Sequence, residues 1–384
     1  LRSLYRSGAI TLALLVSVAA HAAAQTRPTT LQLQDYLDWE DVQSPQLSPD
    51  GARIIFSRRW IDKTNDKWES SVWMMKSDGS QPRFLVNGSG AKWSPDGTRI
   101  AYVGKGEPTG SQIFVRYMDA EGAVTQISRL TDSPSNLEWS PDGKQISFSM
   151  NVPAKRDDLF AKVALPAPPK GAKWTEAPKV VTRLDYRQDR VGYVDDVWTH
   201  VFVIDAGGGT ARQVTTGDWN HGAAVWRDSG TLLFTSKRVP NAEHIWRDSE
   251  IYAADLASGA ITELTHRKGP DGSPAPSPDG KKIAYVGYDS TDATWKDALL
   301  YVMDADGSNA RAQHDVRPLT VGAHLVGGRR DDLLHRGERR EPAAVRGHPD
   351  GADQAADHRR AACHGLRHPQ RHRGWRAHHR VPAQ

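Results

Sequence analysis

Leu47-Ser48-Pro49-Asp50-Gly51 returns as Trp93-Ser94-Pro95-Asp96-Gly97, as Trp139-Ser140-Pro141-Asp142-Gly143, in degenerate form as Trp226-Arg227-Asp228-Ser229-Gly230, and as Pro276-Ser277-Pro278-Asp279-Gly280. In each full copy proline presets φ, aspartate bonds its own backbone and glycine supplies the left-handed position, so the stretch is a tight turn between two strands. The spacing carries more than the turn. Leu47 to Trp93 and Trp93 to Trp139 are both 46 positions, and Trp226 to Pro276 is 50. Self-similarity at that period is the signature of a propeller in which each repeat is one blade.

The residues after each turn fit a bladed fold. Arg53-Ile54-Ile55-Phe56, Arg99-Ile100-Ala101-Tyr102, Gln145-Ile146-Ser147-Phe148 and Lys282-Ile283-Ala284-Tyr285 are β-prone runs that start at one offset from the turn. A second strand then ends in a polar turn, Val72 to Lys76 before Ser77-Asp78-Gly79 and Ile113 to Met118 before Asp119 to Gly122. A third comes around Phe84-Leu85-Val86 or Thr125-Gln126-Ile127, and a fourth arrives at the tryptophan. Four strands per period is one blade. The expected fold is all-β, a β-propeller of four-stranded blades with about five in frame, an incomplete ring where the parent wants about seven. An open all-β sandwich accounts for the frequency of strands but not for the recurrence of one turn sequence. Trp93, Trp139 and Trp226 recur at one place in the blade, which predicts packing between blades rather than a ligand stack.

The N-terminus has Arg2 and Arg6, an apolar run from Ala9 to Ala20, and Ala22-Ala23-Ala24 before Gln25. This is the layout of a secretory signal peptide over 1–24, and it predicts an exported protein, periplasmic or secreted. The run is too short to span a bilayer comfortably, so membrane contact is expected only through that peptide. Residues 25–46 lead into the blades, with Leu33, Tyr36, Leu37, Trp39 and Val42 spaced like a short helix or a strand, and the blades are expected over 47–315. Trp139 to Trp226 spans 87 positions, which means either a hidden blade or an insertion. Pro153, Pro166, Pro168, Pro169 and Pro178, with Lys162, Lys170 and Lys173, favour one blade carrying an insertion over about 151–180.

After Val316 the composition changes abruptly. Residues 317–384 hold 14 arginines and no lysine, nine of the 15 histidines, and no Ile, Phe, Tyr, Met, Ser or Asn. With seven acidic residues this tail is net positive and the rest of the chain net negative, although the whole carries +4. A nucleic-acid arm would mix in lysine and aromatic residues, and a metal site would space its histidines in an ordered frame. Plain disorder is a second reading. The third is the wrong frame of a GC-rich gene. Back-translating residues 323–349 and reading one base later permits the peptide LTWSADGATIYFTAENEGSRQLYVAIP. That restores a tryptophan-led turn roughly one blade period after Pro276, with the β-prone run and the second strand behind it. A one-base insertion or two-base deletion near Val316 or Arg317 is therefore expected to put 316–384 out of frame and garble a sixth blade.

Leu184-Asp185-Tyr186-Arg187-Gln188-Asp189 with Gly192-Tyr193, and Gly217-Asp218-Trp219-Asn220-His221, resemble the propeller of the prolyl oligopeptidase family of serine peptidases. Ser249-Glu250-Ile251-Tyr252 and Arg267-Lys268-Gly269-Pro270-Asp271-Gly272-Ser273-Pro274 match that propeller too, most closely in the branch of acylaminoacyl-peptidases and dipeptidyl aminopeptidases. The resemblance covers about 31–315. The turns alone are shared by TolB-like propellers, so a stand-alone periplasmic TolB-like propeller acting as a protein-binding module is the alternative. Such a module should close its ring in frame, and the string around Tyr186 favours the peptidase.

The resemblance implies a C-terminal α/β-hydrolase domain with a serine, aspartate and histidine triad, the serine on a G-x-S-x-G elbow. This chain has no such elbow. Ser89 between Gly88 and Gly90 has the wrong spacing and reads as part of a blade loop. No catalytic residue is expected, and the polypeptide as written is expected to be inactive. The propeller's implied role is to cap the hydrolase and admit only small peptides. Substrate-contact candidates are Tyr186, Arg187, Asp189, Tyr193, Asp218, His221 and Glu250, where a carboxylate would hold a peptide amine and an arginine a peptide carbonyl. Each also reads as a structural loop contact, and His221 as a satisfied loop histidine, since no nucleophile accompanies it. No cofactor, metal or nucleic acid is expected, only peptide substrate in the intact parent.

Overall fold

The structure is a computed structural model that describes residues 30–313, apart from 109, 120, 155–165, 176–180, 182, 190 and 294. The expected signal peptide, the tail expected to be out of frame and much of the expected insertion lie outside the described residues.

Serine, aspartate and glycine do separate jobs in each turn. In the first copy Arg53 N donates to Ser48 Oγ (2.9 Å), Ser48 Oγ donates to Asp50 Oδ1 (2.5 Å), and Ala52 N donates to the same oxygen (3.1 Å). Ser94 with Asp96, Ser140 with Asp142 and Ser277 with Asp279 repeat the network. Gly51, Gly97, Gly143 and Gly280 all sit at φ between 67° and 72°, where a side chain is strained. The degenerate turn is one residue shorter: Trp226 pairs with Leu232, whereas Trp139 pairs with Ile146. Its Gly230 has no left-handed φ.

Every turn closes a hairpin that forms the first half of a four-stranded antiparallel meander. Blade 1 contains β1 (Glu40–Leu47), β2 (Arg53–Asp62), β3 (Lys67–Lys76) and β4 (Arg83–Asn87). Blade 2 contains β5 (Ser89–Trp93), β6 (Arg99–Lys105), β7 (Ser111–Tyr117) and β8 (Val124–Gln126). Blade 3 opens with β9 (Ser135–Trp139) and β10 (Gln145–Pro153), makes an excursion containing the hairpin β11 (Arg187–Gln188) and β12 (Gly192–Tyr193), and closes with β13 (Val197–Asp205) and β14 (Arg212–Gln213). Blade 4 contains β15 (Val225–Asp228), β16 (Thr231–Ser236), β17 (Glu250–Asp255) and β18 (Ile261–Glu263). Blade 5 contains β19 (Asp271–Pro276), β20 (Lys282–Gly287), β21 (Leu299–Asp304) and β22 (Arg311–Ala312).

Two details differ from the sequence expectation. The strand that arrives at each tryptophan belongs to the blade of the turn it enters, because a tight turn forces its two flanking strands to pair. The first blade thus starts at Glu40, inside the lead-in segment, after a short helix α1 (Leu33–Leu37). Ser89 correspondingly opens the inner strand β5 instead of lying in a loop. Gly88 alone hands the chain from β4 to β5, and a Cβ there would stand 2.4 Å from the Val103 carbonyl oxygen. The long third period forms one four-stranded sheet, in which β10 continues through Pro153 and β13 begins opposite it at Val197, so the excursion falls between these two residues rather than over about 151–180.

The blades share one polarity. In blades 2 to 5 an aromatic pair joins the second and third strands: Tyr102–Phe114, Phe148–Phe202, Phe234–Tyr252 and Tyr285–Tyr301, stacked with centroids 5.2 to 5.7 Å apart. Phe56 and Trp73 hold that register position in blade 1. Side chains alternate between sheet faces, so the opposite face is aliphatic. Each junction packs the aliphatic face of one blade on the aromatic face of the next: Ile55, Val72 and Met74 on Tyr102; Ala101, Ile113 and Val115 on Phe148 and Phe202; Val201 and Val203 on Phe234 and Tyr252; Leu233, Ile251 and Ala253 on Tyr285 and Tyr301. Full burial of each large aliphatic side chain contributes about 1.5–3 kcal/mol.

The tryptophans lock the junctions, as their recurrence predicts. Trp139 Nε1 donates to the Lys92 carbonyl (3.0 Å) and Trp226 Nε1 to the Glu138 carbonyl (3.1 Å). Arg53 lies over the Trp93 ring at 5.0 Å and Arg99 over Trp139 at 4.9 Å, each arginine coming from the preceding blade. A Cβ on Gly97 would stand 3.4 Å from Pro49 Cδ, and one on Gly143 3.7 Å from Pro95 Cδ, so the turns of successive blades lie side by side.

Candidate functional site

In a meander, successive connections alternate between its two ends. With the turns gathered at one end, the connections between second and third strands and the links between blades gather at the other. All seven expected contact residues fall at this loop end.

Tyr186, Arg187, Asp189 and Tyr193 are on or beside the β11–β12 hairpin, where Arg187 pairs with Tyr193 and the Tyr186 and Tyr193 rings lie 6.1 Å apart. Tyr186 is 44% and Tyr193 50% exposed, and Arg187 and Asp189 are exposed as well, so all four present their side chains outward. The base of the hairpin is tied down on both sides. Arg183 pairs with Asp196 (3.4 Å) and lies over Trp198 (3.9 Å), and Leu184 N donates to Glu243 Oε2 of blade 4 (2.6 Å).

Asp218 and His221 lie on the link from β14 to β15. Asp218 is exposed, whereas His221 is buried. Its Nδ1 lies 3.0 Å from the Thr199 carbonyl, which can only accept, so Nδ1 carries the proton. Nε2 therefore accepts from Arg238 Nη1 (3.1 Å), and the ring packs against His200 and Phe234. Burial, with His200 and Arg238 beside it, pulls its pKa down to about 4. A neutral imidazole with both nitrogens engaged is a structural part of the junction of blades 3 and 4 and has no lone pair for base chemistry.

Glu250 begins β17 and belongs to a repeated polar latch. In blade 2 Ile113 N donates to Ser128 Oγ (2.8 Å), and Ser128 Oγ donates to Gln112 Oε1 (2.8 Å). In blade 3 Val201 N donates to Thr215 Oγ1 (2.9 Å), which meets His200 Nδ1 (3.2 Å). In blade 4 Ile251 N donates to Thr265 Oγ1 (2.9 Å), and Glu250 occupies the place of Gln112 and His200. Glu250 Oε2 is buried without a hydrogen-bond partner. Burial pushes its pKa up to about 8; a hydrogen bond from Thr265 opposes this, and Asp271, Asp248 and Glu263 add to it. Sequence reasoning misses the latch residues Ser128, Thr215, Thr265 and His200. Their signal is the apolar-hydroxyl dipeptide Ile127-Ser128, Val214-Thr215 and Leu264-Thr265, which returns in blades 2, 3 and 4.

The inner strands β1, β5, β9 and β15 line a half-open cleft of about 470 Å³ whose walls include Ser44, Ser89, Lys92, Asn136, Glu138 and Val225. Lys92 and Glu138 form an ion pair there at 2.9 Å. Among the described residues no three His, Cys, Asp or Glu side chains converge as a metal ion would need.

No protein-family model matches the chain. Among curated proteins it is 25% identical over 220 residues to the uncharacterized peptidase YuxL of Bacillus subtilis, covering 55% of this chain and 32% of that protein. It is 26% identical over 275 residues to dipeptidyl-peptidase 5 of Porphyromonas endodontalis, covering 64% and 37%. The chain thus spans about a third of the length of the curated relatives it matches. Among solved structures, the acylaminoacyl peptidase of Pyrococcus horikoshii superposes with a TM-score of 0.58 at 14% identity, over 76% of this chain and 42% of that one. The sequence relatives are peptidases, and the fold of the described residues is that of a β-propeller built from four-stranded blades.

Proposed function

We propose that this chain is the substrate-gating propeller portion of an exported serine peptidase that hydrolyses small peptides. The observation that carries the reading is the sequence similarity to peptidases, which covers 64% of the chain in the match to dipeptidyl-peptidase 5. The loop end supports it: the β11–β12 hairpin presents Tyr186, Arg187, Asp189 and Tyr193 outward and Asp218 is exposed at the same end, a set suited to a peptide's amine, carbonyls and side chains. On this reading His221 and Glu250 leave the contact set, since both are buried or half-buried, His221 with both ring nitrogens engaged and Glu250 beside Thr265 within blade 4. A rigid bladed wall around a narrow cavity excludes folded proteins while admitting short peptides.

On the same reading, the triad belongs to a hydrolase domain encoded beyond a shift of frame near Val316, and the 384-residue product is inactive. Sequencing the gene across the codons for Asp315 to Gly328 and on to the next stop tests this. One base in excess, with the repaired frame running on to a G-x-S-x-G elbow, is the expected result. The repaired protein should then release p-nitroaniline from an acylaminoacyl- or dipeptidyl-p-nitroanilide and lose that activity when the elbow serine becomes alanine. A coding strand in which no frame continues the repeat overturns the proposal.

A further inference from the structure

The polarity of the blades leaves one face of each kind without a neighbouring blade among the described residues. On blade 1, Leu47, Ile54, Phe56, Trp73 and Phe84 point away from blade 2, because each is in register with the others and out of phase with the inward Ile55, Val72 and Met74. These are the positions filled in blade 2 by Trp93, Ile100, Tyr102 and Phe114 and in blade 3 by Trp139, Ile146, Phe148 and Phe202. The contrast in exposure is large. Leu47 is 58% exposed where Trp139 is 5%, and Phe56 is half-buried where Phe148 is 1% exposed. On blade 5, Ala275, Val286 and Val302 are half-buried around Ala284 and Leu300, and no described residue of another blade joins that aliphatic cluster.

The chain therefore carries an unused aromatic face at one end of its blade series and an unused aliphatic face at the other. They are complementary in the sense that four internal junctions already demonstrate. We propose that the 384-residue chain associates head to tail with a second copy of itself, the aliphatic face of blade 5 of one copy seating on the aromatic face of blade 1 of the next. A second copy is the occupant because it presents the required aliphatic pattern, Ala275, Ala284, Val286, Leu300 and Val302, at the spacing that Val201 and Val203 or Leu233, Ile251 and Ala253 present to a following blade. Such a contact is heterologous: each copy uses a different patch, and the series grows unless it closes on itself. The inference does not depend on the peptidase reading, since it rests on blade faces alone.

Sedimentation of the purified full chain over a hundredfold range of concentration tests it. The expected result is a mass that rises with concentration beyond that of a dimer. Leu47→Glu blocks only the aromatic end and Val302→Lys only the aliphatic end, so each variant alone should stay monomeric. An equimolar mixture should give dimers and nothing larger, because the one usable face of each variant is consumed in the contact and both outer ends of the pair are blocked. Phe84→Glu, at a position 49% exposed, and Val286→Thr serve as milder partners, with circular dichroism confirming that each variant folds. Wild-type chain that stays monomeric throughout, as it would if its own residues after 313 cover blade 5, overturns the proposal. So does a dimer that survives both single variants, or a mixture that fails to dimerise.

Discussion

The indole N–H of Trp139 reaches the carbonyl of Lys92 at 3.0 Å across the junction of blades 2 and 3, while the equivalent N–H of Trp93, one junction earlier, is buried with no partner. The two side chains fill the same place in the repeat and differ in this bond. Replacing each by phenylalanine removes similar ring surface, so the difference between the two costs reports the bond together with the relief of the unpaired N–H of Trp93. Trp139→Phe removes this bond, whereas Trp93→Phe removes a donor that has no partner, so Trp139→Phe should cost about 1–2 kcal/mol more than Trp93→Phe in urea denaturation. Equal costs would mean that the indole bond contributes nothing to the junction.

Legibility in the sequence depends on which contacts are local. The Ser-Pro-Asp-Gly turn is closed within six residues by Ser48, Asp50 and Arg53, so its recurrence reveals the strand pairs and the blade period directly. The phase of the blade is not legible, because the pairing of the strand at Trp93 with β6 depends on Gly88 turning the chain in one residue, and Gly88-Ser89-Gly90 reads as a loop. Tyr186, Arg187, Asp189 and Tyr193 can be found because they share one continuous string. The role of Glu250 is hidden, since its latch partner Thr265 lies a whole hairpin away and only comparison with Gln112 and Ser128 reveals it.

The short fourth turn separates two glycines that look alike in sequence. Gly97 has φ 68° and faces Pro49 of the adjacent blade, while Gly230 has ordinary φ and a Cβ there would make only van der Waals contact with Asp228 Oδ1 at 3.5 Å. Gly97→Ala should destabilise by about 1 kcal/mol or more through left-handed strain. Gly230→Ala should be neutral or slightly stabilising. Thermal melts of the two variants side by side check this, and a costly Gly230→Ala would show that the degenerate turn needs glycine after all.

Glu250 makes stability depend on pH in the alkaline direction. Its folded pKa, raised to about 8 by burial and by the carboxylates of Asp271, Asp248 and Glu263, lies above the ordinary 4.5. The folded state thus holds a proton that the unfolded state releases, and its contribution is full below pH 4.5 and lost as pH rises through about 8. Glu250→Gln supplies the amide that Gln112 provides in blade 2. The variant should melt higher than wild type at about pH 8–9, and the gap should shrink toward about pH 5. A variant whose melting curve parallels wild type at every pH would remove Glu250 from the latch.

His221 acts in the opposite direction. Its folded pKa, lowered to about 4 mainly by burial, lies below the ordinary 6.5, so the neutral ring's contribution is present above pH 6.5 and lost as pH falls through about 4. Protonation would turn Nε2 into a donor facing the Arg238 guanidinium, breaking the bond at 3.1 Å and setting two cations together. The imidazole resonances of His221 should therefore stay at neutral positions when the protein is titrated from about pH 8 to about pH 5, and His221→Gln, which keeps an acceptor for Arg238, should flatten the fall in melting temperature over that range. An imidazole that titrates near 6.5 would place His221 in contact with solvent and return it to the residues available to a substrate.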